Sequence, residues 1–258
     1  MSQIRSGGRG LRAAALGAAV GLALLTGCAQ QDDEGDRSLT VFAAASLTGA
    51  FTEIAEQFEE SNPGVDVRLS FDGSSGLVDQ LAGGAPADVF ASADEKNMDR
   101  AVTEGLVRGE PSFFATNVLT IITPPGNPAG ITGLDRSLDG ARLVVCADGV
   151  PCGTATRALA ASAGVTLRPV SEESKVTDVR GKVASGEADA GIVYTTDARA
   201  AADTVLVVPL AGADMRPNRY PVAVARGAAD PELAARFVDA VAGPAGRAVL
   251  DDYGFGPP

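Results

Sequence analysis

The sequence predicts an α/β fold of two lobes joined by two chain crossovers. Short apolar or β-branched runs alternate with stretches in which apolar residues recur at helical spacing. Two Pro/Gly-rich segments, at 124–130 and 215–221, interrupt this alternation. No internal repeat of about 20 to 50 residues is visible, which excludes solenoids and propellers. A chain that leaves the first lobe and later returns to it makes a two-strand hinge with a cleft between the lobes.

The first 27 residues are expected to be a secretion signal. Three arginines precede an uncharged apolar run at 13–25, which is too short to span a bilayer as a mature helix. The run ends at Cys28 in the order Leu-Thr-Gly-Cys, a small-residue processing site. The acidic stretch that follows, within 28–37, has no apolar periodicity and is expected to be a flexible tether.

The lobes are predicted at 38–117 together with 221–258 for the first lobe, and at 118–220 for the second. Strands are predicted, in order, at 39–44, 65–71, 89–91, 118–123, 142–146, 190–194, 205–208 and 222–225. Helices are predicted from apolar spacing at 47–58, 98–102 and 233–241, from an alanine-rich run at 154–163, and after a capping Asp178. Such alternation favours largely parallel sheets.

The composition excludes several functional classes. The chain has no histidine, so Ser-His-Asp and Cys-His triads and histidine-bound zinc are absent from it. Its net charge is −12, and it falls to −15 without the signal, which carries three arginines and no acid. This charge argues against nucleic acid as a partner. It does not exclude a small anion, because distant carboxylates are screened beyond a Debye length of about 10 Å.

Four strand-to-helix junctions carry small or polar residues where a helix should begin. They contain Ser46, the run Gly73-Ser74-Ser75, the run at 150–154, and Asp178. Each one alone is compatible with an ordinary helix cap or a structural residue. If all four ends converge, dipoles of about half a charge each sum to roughly +2, enough to balance a dianion without Lys or Arg.

The combined pattern resembles the molybdate-binding lipoproteins and periplasmic proteins that serve ABC importers. The resemblance covers nearly all of the mature chain. It is carried by TVFAAASLT at 40–48, GAPADVFASAD at 84–94, VPCG at 150–153, DVR at 178–180 with GIVY at 191–194, YPVAV at 220–224 and YGF at 253–255. It implies a type II periplasmic-binding-protein-like fold and a binding protein that is not an enzyme and needs no cofactor.

The resemblance also implies the ligand set. In this family the oxyanion is held by two serines, two main-chain amides and a tyrosine hydroxyl. By motif, the serines fall on Ser46 and Ser74, with Ser75 as the alternative to Ser74. The amides fall on Cys152 and Val179, and the hydroxyl falls on Tyr194. Molybdate or tungstate would then be bound through its oxygens alone, with no direct metal ligand.

The same resemblance implies the location and the partners. The Leu-Thr-Gly-Cys box resembles a bacterial lipoprotein signal, in which the cysteine, here Cys28, becomes lipidated. The protein is therefore expected outside the cytoplasm, anchored to the membrane by lipid only, as a monomer that delivers its ligand to an ABC importer permease. A free or disulfide-bonded Cys28 behind a plain secretory signal is the alternative.

Other functions stay open at this point. The nearest is a binding protein for another tetrahedral oxyanion such as sulfate. An exported hydrolase could use Ser46 or Ser74, although no Ser-x-x-Lys or Gly-x-Ser-x-Gly element surrounds either serine. An iron-binding relative would need clustered tyrosines, and a sensor domain would need a transmembrane or DNA-binding segment.

Two cysteines, Cys146 and Cys152, remain once Cys28 is lipidated. They lie six positions apart, across the turn between a predicted strand and a predicted helix. An oxidising compartment permits a disulfide if that turn folds back, and the alternative is two free, partly buried thiols.

Overall fold

The computed structural model describes residues 37–258, so the predicted signal, Cys28 and nearly all of the tether lie outside the described residues. In chain order the strands are β1 (Arg37–Ala44), β2 (Val65–Asp72), β3 (Val89–Ala91), β4 (Val107–Asn117), β5 (Leu119–Thr123), β6 (Leu143–Cys146), β7 (Ser171–Glu173), β8 (Ala190–Tyr194), β9 (Leu206–Val208) and β10 (Asn218–Ala225). The helices are α1 (Thr48–Ser61), α2 (Ser74–Ala82), α3 (Glu95–Thr103), α4 (Pro151–Ala163), α5 (Val176–Ala184), α6 (Thr195–Arg199), α7 (Pro231–Ala242) and α8 (Pro244–Asp252). None of the helices between residues 37 and 258 has the length and apolar character needed to cross a membrane.

The strands form two five-stranded sheets, and this confirms the predicted two-lobe α/β fold. The sheet of lobe 1 has the order β2-β1-β3-β10-β4, and the sheet of lobe 2 has the order β7-β6-β8-β5-β9. The expectation of largely parallel sheets is confirmed with one exception in each sheet, since four of the five strands run in the same direction and one is reversed. In lobe 1, β10 runs antiparallel to both of its neighbours; in lobe 2, β5 does the same. The reason is the double crossover, since a strand that returns beside an outgoing strand runs opposite to it.

The two crossovers lie next to each other. The chain leaves lobe 1 at the end of β4 and returns at the start of β10, where Asn117 and Asn218 are directly paired. Strand β10 begins at Asn218, four residues before the strand predicted at 222. Strand β4 had no counterpart in the prediction because Gly109 and Pro111 interrupt its apolar pattern.

Each sheet is stabilised by its own apolar clusters. In lobe 1, the buried stripe of α1 packs with α7 and α8 on one face, where Phe51, Phe114 and Phe237 form tilted and edge-on ring pairs. Helices α2 and α3 cover the opposite face around Phe42, Phe90 and Met98. Each such buried side chain contributes about 1.5–3 kcal/mol of transfer free energy. The sheets are thus rigid supports for the loops at their strand ends.

The two lobes touch across the cleft. Ala45 of lobe 1 is part of the apolar core of lobe 2, and Asn97 Nδ2 donates to the carbonyl of Gly149 at 3.2 Å. The backbones also approach closely at Gly73 and Ser174, since a Cβ built on Gly73 would lie 2.1 Å from the Ser174 carbonyl oxygen. The structure is therefore the closed arrangement of the lobes.

Candidate functional site

A small cavity lies between the lobes, at the carboxyl ends of the central strands, where ligands of open α/β sheets bind. Its volume is about 10 Å³, roughly the space of one water-sized sphere. It is lined from lobe 1 by Ala44, Ala45, Ser46, Asp72, Gly73, Ser74 and Ala93, and from lobe 2 by Val150, Pro151, Cys152, Val176 and Tyr194. Four of the five predicted ligand residues are thus brought together, and Val179 is not among them.

Ser46 lies in a 3-10 helix, Ala45–Leu47, directly after β1. Its Oγ is 3.0 Å from the Tyr220 hydroxyl, whose oxygen in turn accepts from Asn117 Nδ2 at 3.4 Å. Either hydroxyl can donate in the Ser46–Tyr220 contact; when Tyr220 donates, the Ser46 proton is available to the cavity. Burial raises the pKa of Tyr220, so this hydroxyl stays protonated.

Ser74 is the first residue of α2 and is completely buried. Its Oγ accepts a hydrogen bond from the backbone N–H of Ala93 at 3.0 Å, so its own proton is available to the cavity. Ser75, the alternative candidate, does not line the cavity. The geometry therefore favours Ser74.

Tyr194 ends β8 and is 1% exposed. Its hydroxyl oxygen accepts from Asn218 Nδ2 at 2.9 Å, so its proton can be donated, and the Tyr220 hydroxyl is a second hydrogen-bonding neighbour. Burial, with the nearby Tyr220 and acidic groups, raises the pKa of Tyr194. The side chain is therefore a neutral donor, and it enters the cavity from lobe 2.

The first turn of α4 supplies backbone amides. The helix begins at Pro151, three residues before the predicted start, because proline suits the first helical position. This puts Cys152 in the first turn, where amides have no partner within the helix. The loop before it folds back so tightly that a Cβ on Gly153 would lie 1.9 Å from the Ala147 carbonyl oxygen. Across this loop, Cys146 at the end of β6 and Cys152 in the first turn of α4 form a disulfide, the pairing that the sequence left open.

Helix α5 begins earlier than predicted, and this changes the candidate amide. Its N-cap is Lys175, in extended conformation, so the expectation that Asp178 caps the helix is wrong. Val176 and Val179 are both buried and continue one apolar stripe, which extends the helix toward the cavity. As the fourth helical residue, Val179 has an amide with a partner one turn back in the helix, and the Asp178 amide already donates to the Lys175 carbonyl at 3.2 Å. Val176 lines the cavity, with an amide that has no such partner.

Asp72 is a cavity-lining acid that the sequence analysis did not identify. One of its carboxylate oxygens accepts from the Gly73 amide at 2.8 Å, and the other accepts from Gln80 Nε2 at 3.2 Å. Both oxygens therefore bind their own loop and helix. The cavity lining contains no Lys or Arg among the described residues, so positive potential there comes from helix N-termini.

A second acid, Asp197, is buried behind the cavity in α6 with 3% exposure. Desolvation raises its pKa to about 7, although the Arg180 guanidinium, 3.9 Å away, opposes the shift. Within the described part of the chain, its Oδ2 has no hydrogen-bond partner. This carboxyl is therefore near its titration point at neutral pH.

A larger cavity of about 270 Å³ lies beside the first, between the start of α3, one face of α4 and residues 213–219. Its floor is mainly apolar, with Pro151, Ala155 and Leu159, and charged side chains form its rim. The candidate ligand residues Ser46, Ser74, Cys152 and Tyr194 do not line this larger cavity.

The chain is similar to several known proteins. Residues 39–256 match the family model described as bacterial extracellular solute-binding protein. The chain is 49% identical over 226 residues to the molybdate-binding protein ModA of Mycobacterium tuberculosis H37Rv, covering 87% of each chain. It is 36% identical to ModA of Escherichia coli K12, covering 86% of this chain and 90% of the relative. The solved periplasmic molybdate-binding protein of Azotobacter vinelandii has the same fold, with a TM-score of 0.75, 24% identity, and coverage of 85% of this chain and 99% of that one.

Proposed function

Because the chain belongs to the family of bacterial extracellular solute-binding proteins, we propose that it captures molybdate or tungstate in the small cavity and delivers it to an ABC importer. The ModA relatives, whose names state molybdate binding, support the choice of ligand. The family supports an extracytoplasmic location and a binding role, not a catalytic one.

The orientation of three hydroxyl groups carries the proposal. Ser74 and Tyr194 each accept a hydrogen bond from the protein, and Ser46 shares one with the Tyr220 hydroxyl, so all three hydroxyls can turn a proton into the cavity. The helix starts at Cys152 and Val176 add backbone amides. Such a set suits an oxyanion that carries no proton of its own.

The proposed ligand set is therefore the hydroxyls of Ser46, Ser74 and Tyr194 with the amides of Cys152 and Val176. Val176 replaces the predicted Val179 because α5 begins at Val176. The disulfide between Cys146 and Cys152 would hold the α4 turn in place before the anion arrives, which reduces the ordering required on binding.

We place the lobe boundaries where the chain crosses between the two sheets. Lobe 1 then consists of about residues 38–117 together with the C-terminal part of the chain from the start of β10, and lobe 2 is the part of the chain between them. Closure of the lobes would surround the anion with donors from both sides and remove its water. A shuttle that must close and then dock on a permease works as a monomer.

The test of the proposed ligand is calorimetry of the 28–258 fragment with four anions. Molybdate and tungstate are expected to bind tightly, sulfate at least about tenfold more weakly, and phosphate hardly at all, because a proton on phosphate would lack an acceptor at a cost of roughly 1–3 kcal/mol. Ser46→Ala and Tyr194→Phe should each lose roughly 1–3 kcal/mol of molybdate binding. Equal affinities for sulfate and molybdate would favour the alternative, a sulfate-binding protein.

We also propose that Cys28 is lipidated and anchors the protein to the cell membrane, because it follows a charged segment, an apolar run and the Leu-Thr-Gly box. The wild-type protein is expected in the membrane fraction. Cys28→Ser should release it or leave the precursor uncut, as seen by fractionation and by gel mobility. Identical fractionation and processing of the two proteins would contradict the anchor.

A further inference from the structure

Each of the two crossovers carries an asparagine that contacts both lobes. Asn117, the last residue of β4, is 3% exposed. Its Nδ2 donates to Thr196 Oγ1 of lobe 2 at 2.8 Å and to the Tyr220 hydroxyl of lobe 1 at 3.4 Å. Its Oδ1 accepts from the Val118 amide and from Thr195 Oγ1. All of its hydrogen-bonding groups are thus engaged at the hinge.

Asn218, the first residue of β10, makes the matching bridge. Its Nδ2 donates to the Ala93 carbonyl of lobe 1 and to the Tyr194 hydroxyl of lobe 2, both at 2.9 Å. Asn117 and Asn218 are paired across the two adjacent strands. The side-chain amides of these two asparagines, on adjacent strands, therefore donate to the hydroxyls of Tyr220 and Tyr194.

We infer that Asn117 and Asn218 are positioning residues that couple closure of the lobes to the direction of the hydroxyl protons in the cavity, an inference that rests on the proposed function. An amide nitrogen with its hydrogens only donates, so each tyrosine oxygen must accept from it. The Tyr194 proton can then be donated to the oxyanion, and the Tyr220 hydroxyl, held by Asn117, stays within 3.0 Å of the Ser46 hydroxyl.

Opening of the hinge would undo this arrangement. Asn218 holds Ala93 and Tyr194, which belong to different lobes. When the lobes separate, at least one of these two hydrogen bonds breaks. The Tyr194 hydroxyl is thus aligned as a donor in the closed form, where an anion meets donors from both lobes, and it loses that alignment as the cleft opens.

A double-mutant cycle with molybdate as the probe tests the inference. Asn218→Leu keeps a similar shape without adding charge, and it should weaken molybdate binding about tenfold in the wild-type background. In the Tyr194→Phe background the same change should cost less than about twofold, because the hydroxyl that Asn218 orients is gone. Asn117→Leu, combined with Tyr220→Phe, tests the other crossover in the same way. If a leucine variant fails to fold, the molybdate affinity of the corresponding serine variant, Asn117→Ser or Asn218→Ser, is measured instead.

Asn62→Leu is the matched control, because Asn62 Nδ2 donates to the Phe58 carbonyl at the far end of α1. It should leave molybdate affinity unchanged. If the wild-type protein binds molybdate but the asparagine and tyrosine substitutions of each cycle reduce its affinity independently, so that their fold-losses multiply, the inference is overturned and the proposed function is not. Absence of molybdate binding by the folded wild-type protein would instead overturn the proposed function on which it rests.

Discussion

Gly73→Ala is expected to abolish tight anion binding while leaving each lobe folded. Gly73 precedes α2 with φ of −63° and ψ of 138°, a conformation that alanine adopts without strain. The added Cβ would nevertheless lie 2.1 Å from the carbonyl oxygen of Ser174, which belongs to lobe 2. Because that neighbour is backbone, the clash can be relieved only by moving the lobes apart. The hydrogen-bond donors of lobe 2 would then be too far from an anion held by lobe 1 to contact it.

The expected loss in affinity for molybdate is roughly 100-fold or more, since several hydrogen bonds to a charged group are lost together. Small-angle scattering should show that molybdate compacts the wild-type protein and does not compact the variant. Gly227→Ala is the matched control, because a Cβ at Gly227 meets no atom within 4 Å. A Gly73→Ala protein that binds molybdate as tightly as the control would show that this contact does not limit closure.

The fold was predictable from the sequence because strand runs such as the one at 190–194 are buried along their whole length and read as continuous apolar segments. Strand β4 was missed because it is partly exposed and contains Gly109 and Pro111. The one reversed strand in each sheet was not predicted because strand direction depends on where the chain returns, and no local pattern encodes that.

The candidate site was only partly predictable. Helix starts at Ser46 and Ser74 were identified because small polar residues follow a strand. The start of α5 was misplaced because Asp178 is a strong capping residue type, whereas the buried Val176 extends the helix by packing. The roles of Asn117, Tyr220 and Asn218 were not predicted, since their hydrogen bonds join residues far apart in the chain.

Asp197 should make the stability of the protein depend on pH, and Asp197→Asn should remove that dependence. Burial raises the pKa of this carboxyl to about 7, so between about pH 4 and 7 the folded protein keeps a proton that the unfolded chain releases. Unfolding then releases a proton, and the free energy of unfolding falls as the pH rises through this window. At about 1.4 kcal/mol per pKa unit, the contribution reaches at most roughly 4 kcal/mol.

The measurement is urea unfolding of the wild type and of Asp197→Asn at several pH values from 4 to 8. The two proteins should be similar in stability near pH 4, and the variant should become more stable by up to a few kcal/mol above pH 7, because it carries no buried charge. Asp203→Asn, at an exposed position of the same lobe, should show no such trend. A constant difference between wild type and Asp197→Asn across this range would contradict the assignment. Asp197 lies close enough to Tyr194 for its charge to raise the pKa of the Tyr194 hydroxyl, so an anion bound at that hydroxyl should favour the neutral Asp197 carboxyl further.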